Sequence, residues 1–278
     1  MRLDSYLAEY FPEHSRSAWQ KYIAAGYVFV NDEVVKSNKL ILDEDDVVTI
    51  SEPPQVTSSL TIPVIYEDNN VLVLNKPTGV LTHAKGGINH EFTVADFVKP
   101  YTDFDDTVAS RPGIVHRLDR DTSGVMITAK NELTAKLLLR QFAERKVKKT
   151  YYAIVKGTPK HLEAKIDLPI ERNPKVQSQF RVGTSGKDAE TDYRIVSSYG
   201  NYHLVELKPT TGRTHQLRVH LAHIGIPTVG DKVYGVEKTD RLFLHAAELE
   251  ITIPNSQRRV FKAAIPPEFD TFLKRALL

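Results

Sequence analysis

A short proline-bearing segment divides this chain into two parts of very different size. Residues 51–62 read Ser-Glu-Pro-Pro-Gln-Val-Thr-Ser-Ser-Leu-Thr-Ile, with two adjacent prolines, small polar side chains and no helical period. This composition is typical of an interdomain linker. We therefore predict a small domain over residues 1–50, a linker over residues 51–62 and a larger domain over residues 63–278.

The small domain has the pattern of two helices followed by short strands. Ser15 is suited to cap a second helix that Gly26 can end, and residues 27–30 read as a strand entering a tight turn. Five Lys/Arg against nine Asp/Glu give residues 1–50 a net charge of −4. That balance argues against a strong, independent binder of a polyanion.

The larger domain combines helical segments with paired strands. Residues 193–196 and 202–207 flank Gly200-Asn201 and predict a hairpin, and Asn131 can cap a helix with Leu133 and Leu138 on its buried face. Hairpins outnumber regular strand–helix–strand alternation. The fold class predicted is therefore α+β, with a mixed, largely antiparallel central sheet.

Composition excludes several classes of protein. The sequence has no cysteine, so disulfides and thiolate metal sites are impossible, and no apolar run approaches the roughly 20 residues that span a bilayer. We expect a cytoplasmic protein without membrane attachment. Residues 130–160 contain nine Lys/Arg and two acidic residues. A net charge of +7 in so short a band favours contact with a nucleic acid backbone.

The densest chemistry lies in residues 115–124, which read Val-His-Arg-Leu-Asp-Arg-Asp-Thr-Ser-Gly. Asp119 stands between Arg117 and Arg120, and neighbouring cations keep a carboxylate ionised and able to act as a nucleophile. A solvated charged turn has the same local sequence. This segment by itself does not decide between the two interpretations.

Other chemistries fit the sequence poorly. His215, His220 and His223 are spaced by five and three residues, which does not place all three on one helical face for a metal. Ser123 lacks the Gly-x-Ser-x-Gly context of a hydrolase nucleophile, and phosphate-binding glycine loops are absent. Asp119 and Asp121 are separated by one residue and need not face each other as a glycosidase pair.

Six ordered motifs supply a resemblance that covers most of the larger domain. They are residues 75–80 (Asn-Lys-Pro-Thr-Gly-Val), 116–124, 149–153 (Lys-Thr-Tyr-Tyr-Ala), 211–220 (Thr-Gly-Arg-Thr-His-Gln-Leu-Arg-Val-His), 230–235 (Gly-Asp-Lys-Val-Tyr-Gly) and 244–246 (Leu-His-Ala). In these motifs the chain closely resembles the RluA family of RNA pseudouridine synthases. Val-His-Arg-Leu-Asp favours this family over the related RsuA group.

The resemblance implies a reaction that uses neither a cofactor nor a metal, in which an RNA uridine is detached, rotated and rejoined to its ribose through carbon. It assigns catalytic roles to Asp119 as nucleophile, to Tyr151 under the base and to Arg213 as the partner of Asp119. It assigns substrate contacts to Leu217, packing on the uracil, and to Arg117, which holds the flipped nucleotide out of its stack. For His116, contact with RNA and a structural hydrogen bond are equally open.

Residues 1–50 resemble the RNA-binding module named after ribosomal protein S-four. The match rests on residues 3–7, 15–23, 26–31 and 45–48. It implies RNA contacts from Arg16, Lys21, Lys36 and Lys39. The two resemblances together predict a monomeric enzyme acting on structured RNA, with large-subunit ribosomal RNA the best supported target. A tRNA-directed enzyme and a catalytically silent RNA-binding or ribosome-assembly protein are the alternatives.

Overall fold

The first fifty residues fold into a helix pair and a small sheet around Trp19. Ser15 caps the second helix by accepting a hydrogen bond from the backbone N–H of Ala18, and Gly26 ends it with φ +82°. The elements of this unit are α1 (Leu3–Tyr10), α2 (Arg16–Ala25), β1 (Val28–Val30), β2 (Glu33–Val34) and β3 (Val48–Ile50). Its sheet order is β2-β1-β3, with antiparallel pairing.

The computed structural model describes residues 1–53, 60–84, 91–104, 113–235, 237–255 and 257–276. Half of the linker predicted over residues 51–62 lies outside these ranges. No helix within them is long and apolar enough to cross a membrane.

A buried carboxylate ties together the helices of the small unit. The Asp4 side chain is fully buried and accepts hydrogen bonds from Arg2, Arg16 and Gln20. Burial would raise the pKa of this carboxyl, but the hydrogen bonds from Arg16, Gln20 and Arg2 outweigh burial and hold the pKa well below its usual range. Asp4 is therefore charged in the folded protein at neutral pH.

The larger unit is organised around one mixed sheet. In the described ranges its strand order is β4-β5-β6-β13-β7-β12-β11-β8, with β14 paired to β13. The elements are β4 (Val64–Glu67), β5 (Val71–Lys76), α3 (Val94–Val98), β6 (Ser123–Ala129), α4 (Glu132–Ala143), β7 (Lys148–Lys156), β8 (Glu163–Asp167), β9 (Ile170–Arg172), β10 (Phe180–Val182), β11 (Glu190–Tyr199), β12 (Tyr202–Pro209), α5 (Gln216–His223), β13 (Leu244–Ile253), β14 (Gln257–Lys262) and α6 (Pro267–Arg275).

Pairing in this sheet is antiparallel except between β6 and β13, where His245 lies opposite Ser123 and Ala246 opposite Gly124. Gly124 has φ +118°, and a Cβ there would lie 2.1 Å from the carbonyl oxygen of Ala246. Only glycine fits such an approach. The predicted α+β class with a mixed, largely antiparallel sheet is confirmed.

Strands β5 and β6 pack on both faces. Val71 and Val73 of β5 belong to one core cluster, whereas Leu72 and Leu74 belong to another, as the two-residue period of a strand requires. Because both faces are covered, the first four residues of β5, residues 71–74, are a continuous apolar run. The strand therefore forms a rigid base for the loop that follows it.

The buried face predicted for α4 is partly wrong. Asn131 caps the helix as predicted, and Leu138 is fully buried, but the Leu133 side chain is 81% exposed. Gln141 faces the sheet and exchanges two hydrogen bonds with the backbone of Thr252. Because those bonds satisfy its amide, a polar residue occupies a buried position on this helix, while Leu133 is left at the surface.

Candidate active site

A cavity of about 430 Å³ opens where the 115–119 segment meets the start of β7 and the approach to α5. Its volume falls in the range of roughly 300–1,000 Å³ typical of small-ligand sites. Asp119, Tyr151, Leu217 and Arg218 lie in its wall, together with Arg117, His116, Arg213 and His215. The structure therefore brings together every residue that the resemblance assigned to the reaction.

A buried lysine holds the loop that carries Asp119. Lys76 is fully buried, and its Nζ donates to three backbone carbonyls, those of Pro77, Val80 and Arg120. Burial lowers the pKa of Lys76 to about 7, although the carboxylates of Asp121 and Asp119 partly offset this. The side chain therefore fastens the turn after β5 to the backbone next to Asp119.

Two threonines also bind the loop that carries Asp119. Thr78 Oγ1 donates to the carbonyl of Asp121 at 2.8 Å, and Thr82 Oγ1 donates to the carbonyl of Leu118 at 2.8 Å. The carbonyls bound on either side of Asp119 leave its backbone little freedom. The local sequence alone describes a charged turn, but the tertiary contacts make it a fixed one.

A buried network continues beyond the loop. Arg241 donates to Ser123 Oγ at 2.8 Å, and Ser123 Oγ lies 2.9 Å from His245 Nδ1. The other ring nitrogen of His245 lies 3.3 Å from the carbonyl of Ala263, to which it can donate. Ser123 and His245 are both buried, so this pair is structural and is not an accessible hydrolase couple.

Asp119 is paired with Arg218 on α5. Arg218 Nη1 lies 3.5 Å from Asp119 Oδ2, while its other two nitrogens donate to the buried carboxylate of Asp231 at 2.6 and 2.7 Å. Burial would raise the pKa of Asp231, but the Arg218 guanidinium outweighs it and lowers that pKa. A fixed guanidinium therefore presents positive charge to one oxygen of Asp119.

The pairing assigned to Arg213 is wrong. Arg213 lies before α5, and its Nε donates to the backbone carbonyl of Asp188 at 2.9 Å. Both arginines belong to the 211–220 motif, so the motif alone did not distinguish them. The structure does, because the helix directs Arg218 inward onto Asp231 and leaves Arg213 at the cavity wall.

A histidine that the sequence did not single out for this site is the second close neighbour of Asp119. His215 Nε2 lies 4.0 Å from Asp119 Oδ2, and Nδ1 lies 2.8 Å from the hydroxyl of Tyr234. Asp231 also accepts the backbone N–H of Tyr234. The signal for His215 was the 211–220 motif, and the signal for Asp231 and Tyr234 was the 230–235 motif, whose chemical role the sequence did not reveal.

Tyr151 and Leu217 supply an apolar surface in the same cavity. Leu217 is buried, and Tyr151 packs against the core cluster that contains it. Burial, together with the nearby Asp119 carboxylate, raises the pKa of Tyr151 well above 10. The phenol is therefore protonated at neutral pH. A flat pyrimidine is the type of ring that such a surface accommodates.

Cationic side chains surround the opening. Arg117 is exposed, whereas Lys149 is partly buried and donates to the carbonyl of Thr211 at 3.0 Å. Burial lowers the pKa of Lys149 to about 8. These cations give the cavity wall a positive charge of the kind that contacts phosphate groups.

His116 makes the structural hydrogen bond that its sequence context left open. Its Nε2 accepts the backbone N–H of Ile127 at 3.0 Å, and its ring stacks on Phe142. Burial and the charge of Lys149 lower the pKa of His116 to about 3, so the ring is neutral. Contact with RNA through the rest of the ring stays a prediction.

The histidines considered for a metal have other contacts. Both ring nitrogens of His220 lie 3.0 Å from protein oxygens, at Thr191 and Leu168. His223 is exposed on the last turn of α5. Within the described ranges, His, Asp and Glu side chains form no cluster of three suited to a metal ion.

The cations predicted for the small unit divide into two groups. Arg16 donates to Asp4 through both Nε and Nη2, so its guanidinium is already part of the buried cluster. Lys21, Lys36 and Lys39 are exposed. RNA contacts by these three lysines stay a prediction, and the first role of Arg16 is structural.

Comparison with known proteins agrees with this geometry. A family model described as RNA pseudouridylate synthase matches residues 70–223, and an S4 domain model matches residues 1–48. Ribosomal large subunit pseudouridine synthase D of Borreliella burgdorferi is 38% identical over 291 aligned residues, covering 98% of this chain and 89% of that protein. This chain belongs to the RNA pseudouridylate synthase family. It is an RNA pseudouridine synthase, an isomerase of the RluA type with an N-terminal S4 domain, as the sequence predicted.

Other relatives extend the comparison. The protein of the same name from Haemophilus influenzae is 35% identical, covering 84% of this chain and 73% of that one. Among solved structures, human RNA pseudouridylate synthase domain containing 4 has a TM-score of 0.61 at 26% identity, covering 77% of this chain and 92% of its own. Human RNA pseudouridylate synthase domain containing 1 has a TM-score of 0.59 at 25% identity, with coverages of 80% and 97%.

Proposed function

We propose that this pseudouridine synthase modifies uridine in large-subunit ribosomal RNA and that Asp119 is its nucleophile. The observation that carries the proposal is the position of the Asp119 carboxylate. It shares one cavity with Tyr151 and Leu217 and is held by Arg218. The choice of ribosomal RNA is supported by the relatives named for the large ribosomal subunit and by the S4 domain.

The cavity supports a mechanism in which the uridine leaves its stack. A volume of about 430 Å³ suits one nucleoside and excludes a base pair within a helix. Extrusion of a base costs a few kcal/mol, which contacts in the pocket must offset. Leu217 and Tyr151 can offset it by packing on the uracil. Arg117, whose side chain is exposed, would occupy the space that the base vacates.

The chemistry needs no co-reactant. The N1–C1′ bond of uridine breaks, the uracil turns, and a C5–C1′ bond forms, while C5 loses a proton and N1 gains one. Asp119 forms the transient bond to the substrate and is released as a carboxylate. Tyr151 is the candidate acceptor of the C5 proton. Since its own phenol is protonated, it must pass that proton on as it accepts the new one, and the Asp119 carboxylate is a nearby recipient. Asp119 then gives up this proton to solvent and is a carboxylate again, while N1 takes one proton from solvent, so the protons balance.

The S4 domain, residues 1–50, would then contribute to the affinity and selectivity of the enzyme for RNA. Its exposed Lys21, Lys36 and Lys39 are suited to phosphate contacts, and its net charge is −4 over residues 1–50. We propose that it orients a structured RNA, that the enzyme acts as a monomer, and that its location is the cytoplasm.

A deletion strain tests the target directly. Pseudouridines in ribosomal RNA and tRNA are mapped by carbodiimide treatment and primer extension, with and without the gene. Loss of one or more sites in large-subunit RNA, restored by the wild-type gene and not by Asp119→Asn, is the expected result. Loss confined to tRNA would overturn the target, and an unchanged map in both RNAs would indicate a catalytically silent protein.

A further inference from the structure

His215 occupies a backbone conformation that histidine adopts at some cost. It immediately precedes α5, with φ 57° and ψ 16° in the left-handed region. Non-glycine residues are uncommon there, and they are found where the surrounding structure imposes the conformation. The side chain is 18% exposed and lies in the cavity wall. This conformation places its ring between Asp119 and Tyr234.

The hydrogen bonds of Tyr234 favour one position for the proton of His215. The phenolic oxygen of Tyr234 accepts the backbone N–H of Phe180 at 2.9 Å, and a backbone N–H can only donate. Because this bond occupies one acceptor position of the phenol, the arrangement in which the hydroxyl of Tyr234 donates to His215 Nδ1, 2.8 Å away, is favoured. In a neutral imidazole the other nitrogen, Nε2, must carry the hydrogen.

The charge of Asp119 favours the same tautomer. Nε2 is the His215 nitrogen that faces Asp119 Oδ2, at 4.0 Å. With hydrogen on Nε2, a positive N–H dipole faces the carboxylate, whereas the alternative tautomer would direct a lone pair at a negative oxygen. Arg218 contacts that same Oδ2. Two donors therefore converge on one oxygen of the carboxylate.

We infer that His215 is a positioning residue for Asp119. In its Nε2–H tautomer it acts with Arg218 to hold Oδ2 and leaves Oδ1 as the oxygen that attacks the substrate. Because the loop backbone is fixed, a small rotation of the Asp119 side chain would shorten the 4.0 Å separation to a hydrogen bond when RNA binds. The inference rests on the proposed role of Asp119. It adds one condition for activity, which is the Nε2–H tautomer of His215 that the hydrogen bonds from Phe180 to Tyr234 and between Tyr234 and His215 favour.

The tautomer can be measured without any RNA. Nitrogen-15 labelling of histidine and two-dimensional NMR of the full chain identify the protonated ring nitrogen from its chemical shift. Hydrogen on Nε2 of His215 in the wild type is the expected result. Hydrogen on Nδ1 would overturn the inference, whatever the enzyme acts on.

Two variants then test whether His215 and its tautomer affect the rate of the reaction. His215→Asn suits the left-handed backbone but lacks Nε2, and Tyr234→Phe keeps the ring that packs on Arg218 while removing the hydroxyl. We expect His215→Asn to lower the single-turnover rate constant at saturating RNA by about 10- to 100-fold, the loss typical of one hydrogen bond to a charged group. RNA affinity should change little. Tyr234→Phe should populate both tautomers in the NMR spectrum and lose a smaller part of the rate.

His223→Asn is the matched control, because that histidine is exposed at the far end of α5. It should behave as wild type in both assays. If the wild type makes pseudouridine and both His215→Asn and Tyr234→Phe keep its rate, the positioning role is refuted while the proposed function stands. If Asp119→Asn is also fully active, the proposed role of Asp119 as nucleophile, on which the inference rests, has failed.

Discussion

Arg218 and Asp231 form a buried bidentate ion pair, with guanidinium-to-carboxylate distances of 2.6 and 2.7 Å. The pair fixes the plane of the guanidinium, and its remaining nitrogen faces Asp119. Asp231 also accepts the backbone N–H groups of Val233 and Tyr234. One carboxylate in the 230–235 loop therefore orients Arg218 directly and anchors the residue that hydrogen-bonds His215.

Arg218→Lys should abolish most activity, because a lysine ammonium cannot bind Asp231 through two parallel bonds and still reach Asp119. Misplacement of a reacting group by about 1 Å can cost roughly 100-fold in rate, and we expect a loss of that size in single-turnover assays. Arg213→Lys is the matched comparison. Its side chain binds a backbone carbonyl, so we expect a smaller effect that falls mainly on RNA affinity. Equal loss in both variants would contradict the pairing seen in the structure.

Tyr151→Phe should separate binding from chemistry. The change keeps the aromatic surface beside Leu217 and removes only the hydroxyl, whose pKa is raised by burial and by Asp119. We expect RNA affinity close to wild type and a loss of product formation of about 100- to 10,000-fold, the range for removal of a proton-transfer group. Filter binding and a single-turnover assay measure the two quantities. A variant that binds poorly but turns over normally would assign Tyr151 to binding alone.

Asp4→Asn should destabilise the S4 domain in a pH-dependent way. The folded pKa of Asp4 lies below its ordinary value of 3.8, so its stabilisation is present above about pH 4 and is lost as pH falls further. We expect the variant to lose about 1–3 kcal/mol at pH 7, since hydrogen bonds to a buried charge are weakened. The difference from wild type should shrink by pH 3.

Trp19, the one tryptophan in the sequence, lies in the core of this domain and reports its unfolding in urea. Asp45→Asn, at an exposed acidic position, is the control and should leave the midpoint unchanged. A pH-independent difference between Asp4→Asn and wild type would mean that the charge of Asp4 does not contribute.

The sequence predicted the architecture because local patterns agree with the fold. The Ser15 and Asn131 caps and the hairpin that residues 193–207 form are all present. The spacing of apolar residues in α4 could not predict that Leu133 is exposed and Gln141 is buried. The hydrogen bonds between Gln141 and Thr252 depend on residues 111 positions apart. The periodicity of apolar residues within one helix cannot predict a hydrogen bond to so distant a residue.

In the candidate active site, too, some residues could be predicted from the sequence and others depend on contacts between distant parts of the chain. The resemblance supplied Asp119, Tyr151 and Leu217, which share the cavity, but it assigned the partner of Asp119 to the wrong arginine. Choosing Arg218 requires knowing that Asp231 lies buried beneath it. Lys76 is similar: a lysine before a proline reads as a surface residue, and only tertiary structure shows it bound to three carbonyls.

The most direct test of the account is the single-turnover activity of Asp119→Asn on large-subunit ribosomal RNA. Asparagine keeps the shape of the side chain and removes the charge that faces Arg218 and His215. We predict that product formation falls to background while RNA affinity stays within a few-fold of wild type, since Asp119 contributes chemistry rather than binding. Pseudouridine formation by this variant at a rate close to wild type would contradict the assignment of Asp119 as the nucleophile.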